Sequence, residues 1–138
     1  MLFMLNWRDD WFRARLFQSD KTLARCWIQA ANDPKYEAMG FTRGGGGYPT
    51  DRHYYRSFEA DPGFKYFSEL RYRGHPVGLN SIHPDAFPRE AYVSASPYDP
   101  PPEIEKWEYR PRDSYDRYIR IDELEMVEIP PPDWSQIK

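Results

Sequence analysis

The chain has 138 residues, 30% of them charged, and a formal net charge of −3. Its single cysteine, Cys26, excludes an intrachain disulfide and a cysteine-only zinc site and points to a reducing, intracellular compartment. No apolar run approaches the ~18 residues that a membrane helix needs, so a membrane-spanning chain is not expected.

Rings and prolines dominate what remains: 5 Trp, 11 Tyr, 8 Phe and 14 Pro. Leu, Ile and Val together number only 17. A chain poor in aliphatics and broken by proline reads as one that lies against partners for part of its burial. Charge is divided as well. Residues 1–75 carry 12 basic and 9 acidic side chains, and residues 76–138 carry 7 and 13. An acidic second half argues against wrapping nucleic acid.

In chain order, the first expectation is a helix. Leu5, Phe12 and Leu16 recur at i, i+7 and i+11, with Trp7 and Trp11 at i, i+4 beside them. Ser19 or Asp20 then caps a second helical run, with Leu23, Trp27 and Ala30–Ala31 on one side, which Asn32, Asp33 and Pro34 end. A brief helical turn covers Tyr36 to Met39 and stops at Gly40. Gly44 to Gly47 form a hinge or tight loop. Tyr54, Tyr55 and Phe58 have helical spacing, and Asp61–Pro62 opens a short helix through Phe64, Phe67 and Leu70 that ends at Gly74. From Pro76 onward, prolines interrupt every stretch. A turn of helix is expected at Glu103 to Glu108 and a short strand at Tyr118 to Ile121. Pro130 to Pro132 set a polyproline II segment.

The expected fold is therefore mostly α, with short N-terminal helices over residues 1–75, a long extended acidic arm over residues 76–138, and at most one short strand pair. In style the chain is similar to the supernumerary subunits of large organelle assemblies.

No constellation carries chemistry by spacing. The glycine run lacks the Lys and Ser or Thr of a phosphate loop. His53, His75 and His83 do not stand at metal-ligand spacing, whether taken with Cys26, Asp85 or Glu90. Cys26 sits in an apolar run and reads as packed rather than nucleophilic. No cofactor, no metal and no catalytic residue is expected. Arg and Tyr interleave through Tyr54, Tyr55, Arg56, Arg71, Tyr72 and Arg73, the composition of a protein interface more than of a base-stacking surface.

The expected function is a non-catalytic accessory or structural subunit, mitochondrial or in another organelle, that drapes over a larger multi-protein assembly. Trp7, Trp11 and Trp27 would dock its helices, and Trp107, Tyr109, Tyr115, Tyr118 and Trp134 would pin its arm. Arg8, Arg13 and Arg15 beside Trp7 and Trp11 leave room for peripheral contact with a membrane surface. The alternative is a compact stand-alone α+β protein-binding module of the inhibitor or immunity type, and a small enzyme around the histidines is the third.

Overall fold

The computed structural model describes residues 2–19, 22–43, 53–57, 61–111 and 113–131. Two antiparallel sheets account for the architecture, which overturns the expected mostly-α fold. Among the described residues the helical segments are three short 3₁₀ turns: Pro34–Met39, Ile104–Lys106 and Ile121–Glu123.

The first hairpin shows why the helical reading failed. Strands β1 (Leu2–Trp7) and β2 (Asp10–Ser19) are joined by Arg8 and Asp9 alone. Both residues adopt φ above +50°, the conformation that a two-residue type I′ turn requires. Leu5 and Phe12, seven apart in sequence, stand directly opposite each other across this turn. A helix places i and i+7 on one face, and so does a cross-strand pair. The next run is β3 (Thr22–Ala30), again antiparallel to β2. Its alternation sends Ile28 and Ala30 to one core and Trp27 to the opposite face.

The larger sheet continues with β4 (Thr42–Arg43), β5 (Tyr54–Ser57), β6 (Lys65–Tyr72), β7 (His75–Pro76) and, from the far end of the chain, β12 (Leu124–Ile129). Its order is β12-β6-β1-β2-β3-β5-β4, with β7 also on β6. The helix expected through Phe64, Phe67 and Leu70 is β6 instead. Glu69 and Leu70 together oppose Met126 of β12, and Glu69 takes φ +54°. This bulge adds one residue, so Phe67 and Leu70 reach the same face at a spacing of three. Gly74, expected as a helix stop, forms with Arg73 the two-residue turn between β6 and β7, both at positive φ. The brief turn that stops at Gly40 is present: Asp33 accepts from the Lys35 N–H, and Gly40 closes it at φ +90°.

The smaller sheet has the order β10-β11-β9-β8, from β8 (Gly78–Ile82), β9 (Glu90–Ala95), β10 (Glu108–Arg110) and β11 (Ser114–Arg120). Residues expected to form an extended arm thus supply this sheet and an edge of the other. The described prolines of this half sit between strands, after β12, or in the two-residue β7, where a missing N–H breaks no central ladder. A high proline count marked punctuation, not open coil. The boundary expected at 75/76 falls inside β7, and β12 crosses back to pair with β6. The expected strand at 118–121 corresponds to the last part of β11 and runs into the third 3₁₀ turn, and the expected turn near Glu103 is the 3₁₀ segment Ile104–Lys106.

Two cores lie on the two faces of the larger sheet. The first gathers Phe3, Leu5, Trp7, Phe12, Ile28, Tyr36, Phe41, Tyr54, Phe64 and Tyr66. The sheet curls around it, because the Arg56 guanidinium on β5 lies 5.3 Å from the ring centre of Trp7, three strands away on β1. The second core fills the space between the sheets with Met4, Leu70, Tyr72, Ile82, Val93, Ile119, Ile121 and Leu124.

Candidate binding face

The residues singled out in the sequence have different fates. Trp7, Tyr54, Tyr72 and Trp107 are buried. Trp7 meets Phe12 and Phe64, and Trp107 meets Tyr72 edge to face. Trp11 is half-buried against Phe67, and Trp27 against Tyr55 and the Arg13 guanidinium. Arg56 lies over the rings of Trp7 and Phe41 and donates to the Met39 carbonyl. Arg71 is exposed and donates to the Gly74 carbonyl. Trp134 and Gly44 to Gly47 lie outside the described residues.

Two groups of these residues come together. The first surrounds Glu103, which accepts from Tyr72 Oη at 2.8 Å and Arg117 at 3.1 Å, and pairs with Arg73 at 3.0 Å and Lys106 at 3.2 Å. Hydrogen bonds from Tyr72, Arg117 and Lys106 hold its carboxyl down at about 2. Arg117 also stacks over Tyr72 and Trp107, and the Trp107 indole donates to the Pro102 carbonyl at 3.0 Å. This set locks the proline-rich connection before β10 onto both sheets. Four donors converge on this one carboxylate and fasten the connection in place.

The second group is the outer face of the smaller sheet. Strand alternation turns Ala91, Val93, Ala95 and Ile119 inward. It turns Tyr92 and Ser94 of β9, and Asp116 and Tyr118 of β11, outward, with Tyr92 opposite Tyr118 and Ser94 opposite Asp116. The Tyr118 ring lies 4.6 Å from Tyr92 and 4.5 Å from His83, which continues the row past the end of β8. His83 is fixed in turn, since its Nδ1 accepts from the N–H groups of Asp85 and Ala86. On the opposite, core-facing side of this sheet Tyr109 and Tyr115 pair at 4.8 Å at the β10 edge, where Tyr109 is 52% exposed.

Asp116 is the keystone of the outer face and was not singled out by sequence. It is only 4% exposed. It accepts from Ser94 at 2.8 Å and from Ser114, and pairs with Arg110 at 2.7 Å. Arg110 and Asp116 both reach the Tyr92 hydroxyl, and Asn80 donates to Ser94. Burial pushes the Tyr92 hydroxyl above its ordinary value. The result is a preorganised patch of Tyr, Ser, Asn and Arg whose side chains are held by one another. The alternation Ser114, Asp116, Tyr118 was the available signal, because it puts three hydrogen-bonding side chains on one face once the segment is read as a strand.

A third polar group ties the regions together. Asp10 accepts from Tyr36 Oη, from Arg89 Nε at 3.1 Å and from the Trp11 N–H at 2.8 Å. Burial alone would raise the Asp10 carboxyl, but these bonds outweigh it and hold the group below the ordinary value. Among the described residues no three His, Cys, Asp or Glu side chains gather as a metal site, and no described helix is long and apolar enough to cross a membrane. His53 bonds the Ile82 carbonyl at 2.7 Å, and His75 faces Asp99 at 3.9 Å. Compared with known proteins, the chain matches no family model, and no curated protein or solved structure shows significant similarity to it.

Proposed function

We propose that this protein is a compact, non-catalytic protein-binding module whose recognition surface is the outer face of the smaller sheet. The observation that carries the reading is Tyr118: 42% exposed, on a regular strand, and held between Tyr92 and His83 above the buried Asp116 network. Rigid tyrosines flanked by Ser, Asn and Arg supply contact area at low entropy cost. A protein partner fits better than nucleic acid. Arg110 is committed to Asp116 and Arg120 to Asp122, which among the described residues leaves the face no uncommitted arginine for phosphates. The single cysteine suits a reducing compartment.

The purified chain is expected to be a monomer with a sharp two-state melt, and Tyr118→Ala, which removes two ring contacts, is expected to lower its stability by about 1–2 kcal/mol with the two-state melt retained while abolishing retention of specific partners. A chain that is unfolded alone, or a Tyr118→Ala variant that retains every partner, would overturn the reading. An accessory subunit of a larger assembly is the second reading. It is favoured by Phe87 and Tyr98, two loop rings that are 85% and 89% exposed. Refolding only in the presence of other subunits would select it.

A further inference from the structure

A separate surface lies at one end of the larger sheet. β12 is the terminal strand of the larger sheet: β6 pairs along one side, and no described strand pairs along the other. Edge strands present unpaired N–H and C=O groups and are usually blunted by shortness, charged side chains (lysine above all), proline or a bulge. The charges on β12 are Glu125 and Glu128, both negative. Here the bulge is on β6, not on β12. β12 has six residues, Leu-Glu-Met-Val-Glu-Ile, without lysine, and the first proline, Pro130, comes only after its end. Leu124 anchors it by burial, whereas Val127 is 49% exposed.

Two further features adjoin this edge. At its Ile129 end, a cleft of about 630 Å³ opens between β12 and the approach to β6, with Phe64, Tyr66 and Ile129 as apolar lining and two acids, Asp61 and Glu128, against one cation, Lys65, as its charged lining. The strand and the turn before it also carry a run of acids: Asp122, Glu123, Glu125 and Glu128. Arg120 takes Asp122, and the Gly74 N–H takes Glu125. Glu123 and Glu128 are exposed and form no ion pair among the described residues.

We propose that β12 is a docking edge for an extended basic segment of a partner protein. The segment adds a strand to the sheet and places one apolar side chain in the cleft by Phe64, Tyr66 and Ile129. Backbone pairing supplies affinity, the cleft supplies register, and the acidic rim selects lysine or arginine. The surface is distinct from the Tyr118 face and does not depend on it.

The test uses the full chain, isotope-labelled for amide NMR, and a peptide of roughly eight residues, the length of an ordinary strand. The peptide alternates Lys and Val and carries Leu at one end. A second peptide has Glu in place of Lys. Two more carry N-methyl groups on alternate residues, one in each register. The lysine peptide is expected to shift amides of Leu124–Ile129, Phe64 and Tyr66, and to bind at least about tenfold more tightly than the glutamate peptide. One N-methylated register is expected to lose binding and the other to keep it, because only alternate amides face the edge. Glu123→Lys with Glu128→Lys is expected to reverse the charge preference, and Tyr118→Ala to leave it intact. No binding, equal binding of the two charges, or equal behaviour of the two methylated registers would overturn the proposal. So would self-association through β12 on sedimentation, which would seat a second copy there. Binding that appears only in a chain stopped at Pro131 would assign the edge to residues 132–138 and would overturn the proposal as well.

Discussion

The two cores of this molecule are filled by different chemistry. Inside the curl of the larger sheet the buried residues are mostly rings: Phe3, Trp7, Phe12, Tyr36, Phe41, Tyr54, Phe64 and Tyr66. They meet in edge, tilted and stacked pairs, with Phe12 touching Trp7, Tyr36 and Phe41 at 5.6 to 6.1 Å. Between the sheets the filling is aliphatic and small, with Ile82, Ala91, Val93, Ala95, Ile119, Ile121 and Leu124, and among the described residues only Tyr72 and Trp107 are fully buried rings there. A chain with 17 Leu, Ile and Val places many of them between the two sheets, and uses rings where the larger sheet bends around its own core. Of the twenty aromatic rings whose burial is described, ten are interior, so half of what reads as sticky surface is core.

The comparison breaks most sharply at Phe12. Phe12→Ala removes the ring shared by three neighbours and is expected to cost about 3–5 kcal/mol in a denaturant titration, against about 1 kcal/mol for Ile119→Val between the sheets. Similar losses at the two sites would erase the distinction. The link between the cores comes next. Arg89, from the segment before β9, bonds Asp10 of the first hairpin and Tyr36 of the ring core. Arg89→Ala removes the nearer of two cations from the half-buried Asp10 carboxylate, leaving Lys35 at 3.6 Å, and is expected to cost about 1–3 kcal/mol. A near-neutral outcome would mean that the regions are joined by packing alone.

Glu103 sharpens the comparison by pH, since it bridges to the second core through Tyr72 and Arg117. Its folded value, about 2, is depressed from 4.5, so its stabilisation is present above about pH 4.5 and is lost as pH falls through about 2. Glu103→Gln is expected to flatten part of the acid-induced loss in that window, with Asp10 retaining another part. An unchanged acid profile would remove Glu103 as a latch. The smallest effect is expected at the first turn. Asp9 sits at φ +59° with its side chain exposed, so Asp9→Gly relieves strain and is expected to raise stability by roughly 0.5 kcal/mol in the melt.

Several local readings survive folding and others do not, for identifiable reasons. Gly40 as a stop, the turn near Glu103 and strand character at Tyr118 and Ile119 depend on a few adjacent residues, and they are present. The helices expected from Leu5, Phe12 and Leu16 and from Phe64, Phe67 and Leu70 depended on spacings of three and seven. A two-residue turn and a single bulge reproduce those spacings in strands. Of the candidate interface residues, Tyr118 stands on the outer face of the smaller sheet, Tyr109 and Tyr115 pair on its other side, and Trp7, Tyr54, Tyr72 and Trp107 are buried. Exposure is a property of the neighbours that a ring finds, not of the ring.

What the amino-acid sequence determined by itself is composition and its local consequences: a chain with a single cysteine, proline punctuation between short segments, and more ring area than aliphatic area to bury. Tertiary structure alone decided which faces of those segments meet. Pairing β6 with both β1 and β12, distant from it in sequence on either side, set which rings lie inside and which edge stays open. The reason is physical. Strand partners are chosen by long-range burial and register, and neither is encoded in the spacing of neighbours along one segment.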